Sequence, residues 1–587
     1  MSAENPLAQV RVEEALIGAI AGAAVGLAAT SPLTLGLTHM NPLAAGITTW
    51  AAVQAGVLWV GGLAGAAFGG WWMARQERDS HLNGNRYYSN VAEAMRVMQK
   101  QQRLMFSAAQ RAGKVHGIVL GGVEFAREQE VQHASFAGAT GRGKSTTIRV
   151  ELNQALERGD RVLIFDPSRD FTKKYYDPKD SVLLLPWDER AVMWDAAADL
   201  SEPAIAKEFA TSVCGTEKEL TGQNSNFHEA AAQVLAGLIL ALEKQNGAWT
   251  WAELAHATTL PALELAEIAT KGNEVVTTIL PSAATGKISH DDGIALKLMA
   301  SKTDWIRGYS SIDAPGRPKF SIQKWLRGEA HQDVRKVIIN ANSTYERQGQ
   351  AIFGAILRAT TATINGDLPS VSADAPNAIW LLIDEARQIG SRALDELQKV
   401  AEMGRKKGVR LVLVLQAESQ LAAAMGHEAA APVLETQGMK IYAGMSGPGA
   451  EAVVKAAGMR EVSRLSTTSE NGATMGKVKT IVQVPVLTSG ALTSLRAHKY
   501  DKPQGVDFIC WTGDTLARLF QPFPPKMPDI AEEYVPSEAW RRQVPPEKPH
   551  VKPDAGVEQV DADTAPPPAD DAPGTKKPGN DRPENWL

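Results

Sequence analysis

Cysteine is almost missing from this chain: Cys214 and Cys510 stand alone and far apart in 587 residues. That excludes a disulfide framework and a CxxC metal site, and fits two buried thiols in a reducing compartment. No HExxH occurs anywhere, which removes a zinc-dependent membrane protease. No LSGGQ-like segment precedes WLLIDEA, which removes an ABC transporter. There is no excess of positive charge either. Lys and Arg number 61 against 66 Asp and Glu, a net charge of −5, so any DNA contact is a local lining and not a global field. The most telling absence is regional. From Ala15 to Ala74 there is not one Asp, Glu, Lys or Arg.

A bilayer core takes about 20 helical residues, so the uncharged run has room for two crossings. Pro32, His39, Asn41 and Pro42 interrupt it, which predicts a hairpin within residues 1–80, with helices over about 15–37 and 44–73. A soluble core helix normally carries a polar face, and these segments have none. A signal peptide would still leave the second run as an anchor. Residues 75–114 hold eight Lys and Arg against three acids, and the connecting loop holds no charge. The positive-inside rule then keeps both ends in the cytoplasm and makes the chain a multi-pass membrane protein with its bulk inside. Gly18, Gly22 and Gly26, and again Gly61, Gly65 and Gly69, line one face of each helix and would admit a close neighbour.

The stretch FAGATGRGKSTT, Phe136 to Thr147, has the spelling of a phosphate-binding loop. A short strand ending at Gly138 precedes it and a helix-periodic segment ending at Gly159 follows, which is the context that loop requires. The nucleotide-binding set is Gly138, Ala139, Thr140, Gly141, Arg142, Gly143, Lys144, Ser145 and Thr146. Backbone N–H groups of residues 139–145 would wrap the phosphates at a helix N-terminus. Lys144 would bind the β- and γ-phosphates, and Ser145 would ligate Mg²⁺. The expected cofactors are therefore ATP and Mg²⁺.

Far downstream, AIWLLIDEA is an apolar run ending in two carboxylates. Its continuity fits a strand buried on both faces of a parallel sheet. Asp384 at its end would hold the Mg²⁺ shell, and Glu385 would activate the attacking water. Ligands of open α/β sheets sit at strand C-termini, so loop and acids can converge. RVLIFDPSRDF and GVRLVLVLQAESQL supply two more strands, the second ending in Gln416, which could sense the γ-phosphate. A basic cluster, Arg405, Lys406, Lys407 and Arg410, lies between the acidic strand and the glutamine strand. Such a cluster is usually a solvated helix end, but Arg405 could stabilise charge on a neighbouring subunit's nucleotide.

At 100–200 residues per domain, roughly three or four pieces are expected. The fold class is α/β, a RecA-like P-loop NTPase domain split over 81–200 and 316–535. An all-helical domain, 201–315, is inserted, and the membrane hairpin precedes both. Residues 541–587 hold ten of the 32 prolines and almost no aliphatics, the composition of a disordered tail.

The order of these parts resembles the coupling proteins of type IV secretion and conjugation, the TraD/TrwB group. SVLLLPWDERAVMWD, VQVPVLTSGALTSL and VDFICW are also similar to that group, so the resemblance runs from about Ala15 to Pro524. It implies a plasmid-borne conjugation system and an inner-membrane ATPase assembled as a homo-hexamer. It implies as partners DNA, a relaxase with its relaxosome accessory proteins, and the secretion channel, with relaxase-bound single-stranded DNA delivered at the expense of ATP. Matched by motif, Lys144 and Ser145 are the loop pair, Asp384 and Glu385 the acidic pair, Arg405 the basic site and Gln416 the glutamine motif. Arg142 departs from the pattern, standing where a small residue is more usual. Two other readings stay open: an FtsK-like translocase on double-stranded DNA, and a membrane recruitment hub in which ATP controls assembly only.

Overall fold

The computed structural model describes residues 80–215, 222, 224–281, 285–313, 317–389, 391–470, 473–500 and 503–542. The expected membrane hairpin and proline-rich tail lie outside them. Among the described residues, no helix is long and apolar enough to cross a membrane.

Fourteen strands matter here. They are β1 (Ser80–Asn83), β2 (Arg86–Tyr88), β3 (Ala134–Ala137), β4 (Arg161–Asp166), β5 (Ser181–Leu183), β6 (Lys336–Asn340) and β7 (Ile379–Ile383). After them come β8 (Val409–Leu415), β9 (Met439–Tyr442), β10 (Met459–Glu470), β11 (Ala473–Pro485), β12 (Ala497–His498), β13 (Gly505–Thr512) and β14 (Thr515–Pro522). Eleven of them form one sheet in the order β2-β14-β13-β9-β3-β8-β7-β4-β6-β5, with β12 paired to β13. From β9 to β5 every pairing is parallel. Beyond β9, β13 pairs antiparallel with both β9 and β14, and β14 pairs parallel with β2.

The central strands are apolar throughout because helices cover both faces. Along β7, Ile379, Leu381 and Ile383 join one hydrophobic cluster while Trp380 and Leu382 join the other. Strand β8 repeats this, with Leu411 and Leu413 on the first side and Val412 and Val414 on the second. The second face is covered by helices α1 (Val91–Met105) and α2 (Lys144–Glu157), which bring Ala94, Met98, Ile148 and Leu152. The short helix α3 (Asp170–Tyr175) follows β4.

Among the described residues, seven α-helices, α4 to α10, follow between Pro203 and Ile312: Pro203–Cys214, Ser225–Asn246, Trp251–Ala257, Ala262–Gly272, Val275–Ile279, His290–Lys302 and Trp305–Ile312. Helices α5 and α7 approach so closely that a Cβ on Gly272 would lie 1.9 Å from the carbonyl oxygen of Gly237. The α4–α10 segment shares one hydrophobic core with the first face of the sheet, through α11 (Glu346–Gly366) and α12 (Ser391–Met403). Its neck is stitched by Asp199, whose carboxylate accepts from Trp194 Nε1 (2.6 Å) and from the N–H groups of Ile322 (2.9 Å) and Gln323 (3.1 Å).

Two features were not expected. Strands β10 and β11 form a long antiparallel hairpin, joined by β1. After β14, residues 523–541 run as a strap across the α/β unit. Glu189 N–H donates to Val535 O and Ser537 N–H to Trp187 O, both at 2.9 Å. Trp540 then packs on Tyr345 and Trp187, with ring centroids 5.5 and 6.0 Å away.

Glu151 on α2 is 3% exposed, and its Oε2 has no hydrogen-bond partner among the described residues. Burial, and then the charge of Glu130, push its pKa up to about 8 from an ordinary 4.5, against the pull of Arg158. Folding therefore takes up a proton between those two values. Stability falls as pH rises through that window, by about 1.4 kcal/mol per pH unit. Glu151→Gln should flatten this slope and leave the variant the more stable protein at pH 7.5, read by thermal unfolding from pH 5 to 8.

Candidate functional site

A cavity of about 390 Å³ opens at the C-terminal ends of β3, β4, β7 and β8. It is lined by Ala139, Thr140, Gly141, Gly143, Lys144, Ser145 and Thr146 from the loop after β3. Asp384 and Glu385 reach it from the end of β7, and Gln416 from the end of β8. Lys144 and Asp384, 240 positions apart in sequence, thus meet because β3 and β7 flank the same strand, β8.

The loop is shaped by glycine where nothing else fits. Gly143 caps α2 at φ +91°, and a Cβ there would sit 2.5 Å from Val506 Cγ2 on β13. Helix α2 begins at Lys144, so its first N–H groups and its dipole face the cavity. Not every loop N–H is available. That of Ala139, counted in sequence among the phosphate donors, donates to Gly444 O at 3.0 Å. Gly138 contributes its carbonyl: Lys144 Nζ donates to Gly138 O and, at 3.2 Å, to Ala139 O. Arg142 does not line the cavity; its guanidinium reaches Leu495 O at 3.5 Å.

Carboxylates crowd the opposite wall. Ser168 Oγ lies 3.1 Å from Asp166 Oδ1 and 3.3 Å from Asp384 Oδ2. Asp166 is otherwise engaged by Thr172, N–H at 2.6 Å and Oγ1 at 2.8 Å. Burial, followed by the charges of Asp166 and Glu385, raises the Asp384 pKa to about 7. Burial depresses Lys144 from the usual lysine value, while Asp384 and Glu385 pull it back up. Such a wall is short of positive charge, and a divalent cation would supply it. The donor set fits Mg²⁺, which favours oxygen ligands and takes few from protein. The carboxylate of Asp384 and the hydroxyl of Ser145 both line the cavity. Among the described residues no group of three His, Cys, Asp or Glu could hold a metal by itself, so phosphate oxygens and water would complete the shell. Glu385 sits at φ +52°, a backbone region uncommon for a non-glycine residue and frequent at functional sites.

The basic cluster separates in three dimensions. Arg410 is 2% exposed; its Nε donates to Glu130 Oε2 at 3.1 Å, within a buried network that also holds Arg158 and Arg127. Lys407 Nζ donates to Leu368 O. Arg405 and Lys406 are exposed, in a 3-10 turn, Gly404–Lys407, just before β8. That is the opposite end of β8 from the cavity, so Arg405 does not enter the site of its own chain.

Sequence reasoning missed Ser168, Asp170, Lys499 and Phe523, which also line the cavity. The first two stand just past a recognised strand end. Lys499 and Phe523 arrive with β12 and β14, and nothing in their local sequence announces a ligand.

Residues 117–490 match the family described as the type IV secretion-system coupling protein DNA-binding domain. Coupling protein TraD of Escherichia coli (strain K12) is 25% identical over 381 residues, covering 63% of this chain and 48% of that protein. The chain thus spans about half the length of that relative. The unbound monoclinic form of the bacterial conjugative coupling protein TrwBdeltaN70 superposes with a TM-score of 0.61 at 20% identity, covering 78% of this chain and 97% of that one. Plasmid coupling protein TrwB in complex with ADP and Mg²⁺ gives 0.59 at 21% identity, with 78% and 98% covered. At such identities the likeness establishes a shared fold.

Proposed function

The chain belongs to the type IV secretion-system coupling protein family, and on that premise we propose that it is an ATPase that couples nucleotide hydrolysis to DNA transfer in conjugation. The observation that carries this is the meeting of Lys144, Ser145, Asp384, Glu385 and Gln416 around one cavity. ATP with Mg²⁺ is the occupant that its chemistry and the complex of the related protein support. Bound Mg²⁺ supplies charge neutralisation at the phosphates. Lys144 grips the phosphate oxygens, Ser145 and Asp384 hold the cation, and Glu385 takes the proton from the attacking water. Gln416, on the same cavity wall, would sense the terminal phosphate.

The uncharged run 15–74 anchors the chain in the inner membrane with its bulk in the cytoplasm, and six copies form a ring. The substrate is single-stranded DNA attached to a relaxase, handed to the secretion channel. The test is ATP hydrolysis by the full chain in detergent, with and without single- and double-stranded DNA. Single-stranded DNA should stimulate turnover, and the stimulation should fade steeply as salt rises, because phosphate contacts release counterions. Stimulation by duplex alone would favour an FtsK-like translocase. Turnover indifferent to both would sink the DNA-coupled reading in favour of a recruitment hub.

A further inference from the structure

Resting on that reading, one residue outside the cavity bears on the proposed base. Glu385 is followed by a 3-10 turn, Ala386–Ile389, that folds back on it. Gln388 N–H donates to Glu385 O at 2.8 Å, and the Gln388 side-chain amide donates to Glu385 Oε2. The amide does not belong to the nucleotide cavity. It lines a neighbouring polar cavity of about 420 Å³ at the ends of β4 and β6, with Arg169, Asn342 and Gln350. Ser168 lines both cavities. From α11, Gln350 Nε2 reaches Gln388 O at 3.4 Å and Glu346 Oε1 at 3.3 Å. A chain of amides thus runs from the carboxylate of Glu385, through Gln388, to a helix that packs on α4 and α12.

A general base needs a lone pair free and aimed at the water, and a hydrogen bond donated to the carboxylate occupies one. We propose that Gln388 is a positioning residue that parks Glu385, holding the carboxylate away from the attacking water until rearrangement at the neighbouring cavity withdraws the amide. Gln388 does not line the nucleotide cavity; it acts through Glu385. The backbone at φ +52° fits a carboxylate held in a resting arrangement by its surroundings.

Hydrolysis without DNA and a nucleotide-bound structure together test this. Gln388→Ala should raise DNA-independent kcat roughly three- to tenfold, the worth of one ordinary hydrogen bond, since this one is exposed to solvent. KM for ATP should stay within about twofold, because phosphate contacts are untouched. Stimulation by DNA should shrink by the same factor. Gln388→Glu, which sets a carboxylate against Glu385, should also release it, and adding Glu385→Gln to Gln388→Ala should erase the gain. A fall in kcat, or no change, would overturn the proposal, since a group that orients or merely supports the turn gives those results. The second readout needs no turnover. In crystal structures of the full chain with a non-hydrolysable ATP analogue and Mg²⁺, Glu385 should rest on Gln388 without DNA and should have left it with single-stranded DNA bound. A Gln388–Glu385 bond still closed with nucleotide and DNA both bound would refute parking. An idle wild type whose Glu385 nonetheless swings free would refute the ATPase reading and spare the switch.

Discussion

Replacing Lys144 by alanine should abolish nucleotide turnover, by at least about a hundredfold, the usual loss when one transition-state contact to a developing charge is removed. The lysine sits at the start of α2, its ammonium resting on the carbonyls of Gly138 and Ala139. The carboxylates of Asp384 and Glu385 face it across the cavity. Ala139 is exposed at the cavity and Gly138 is buried behind it, so at most one carbonyl loses its partner. Thermal unfolding should therefore shift little, and detergent extraction from membranes should match wild type. Hydrolysis, unfolding and extraction measured together separate a lost contact from a lost fold. Wild-type-like turnover in Lys144→Ala would remove the whole site assignment.

Arg405→Ala should poison its neighbours. Arg405 is exposed at the far end of β8, so any contact with a phosphate is made in a second copy of the chain. Arginines presented in this way are worth about 10³–10⁵ in rate. The variant alone should therefore be nearly inactive while still binding nucleotide. Mixed in equal parts with wild type, it should leave well under half the activity, because each defective copy silences an intact site next door. Lys406→Ala, equally exposed one residue on, is the control and should change little. Activity that falls in simple proportion to the variant fraction would rule out action in trans.

How much of this was legible depended on how local each signal is. IWLLI and VRLVLVL read as central strands because burial on both faces writes itself as an unbroken apolar run. The phosphate loop was equally plain, since its glycines answer to backbone geometry within a few residues. Arg410 read as part of a solvated cluster, and only the fold reveals Glu130 waiting for it from 280 positions upstream. The β10–β11 hairpin did carry a local sign, Asn471-Gly472 between two β-prone runs, and it was passed over. Lys499, Phe523 and the Trp540 strap carried none. Their positions follow from strand order, which sequence periodicity does not encode.

That strand order also sets a timetable. β3 carries the phosphate loop, yet both strands that flank it, β8 and β9, begin at Val409 and Met439. On the ribosome β3 emerges about 270 residues before its first partner. At 5–20 residues per second that is a wait of roughly 15–50 s. For most of it β3 and β4 are without partners, because β6 and β7 begin only at Lys336 and Ile379, and the open edges of these apolar strands invite pairing with other chains. Shielding of these nascent edges should therefore lower aggregation during synthesis. Slowing translation after residue 383 should increase aggregation more than slowing it after residue 442, by which point the parallel sheet has all its strands.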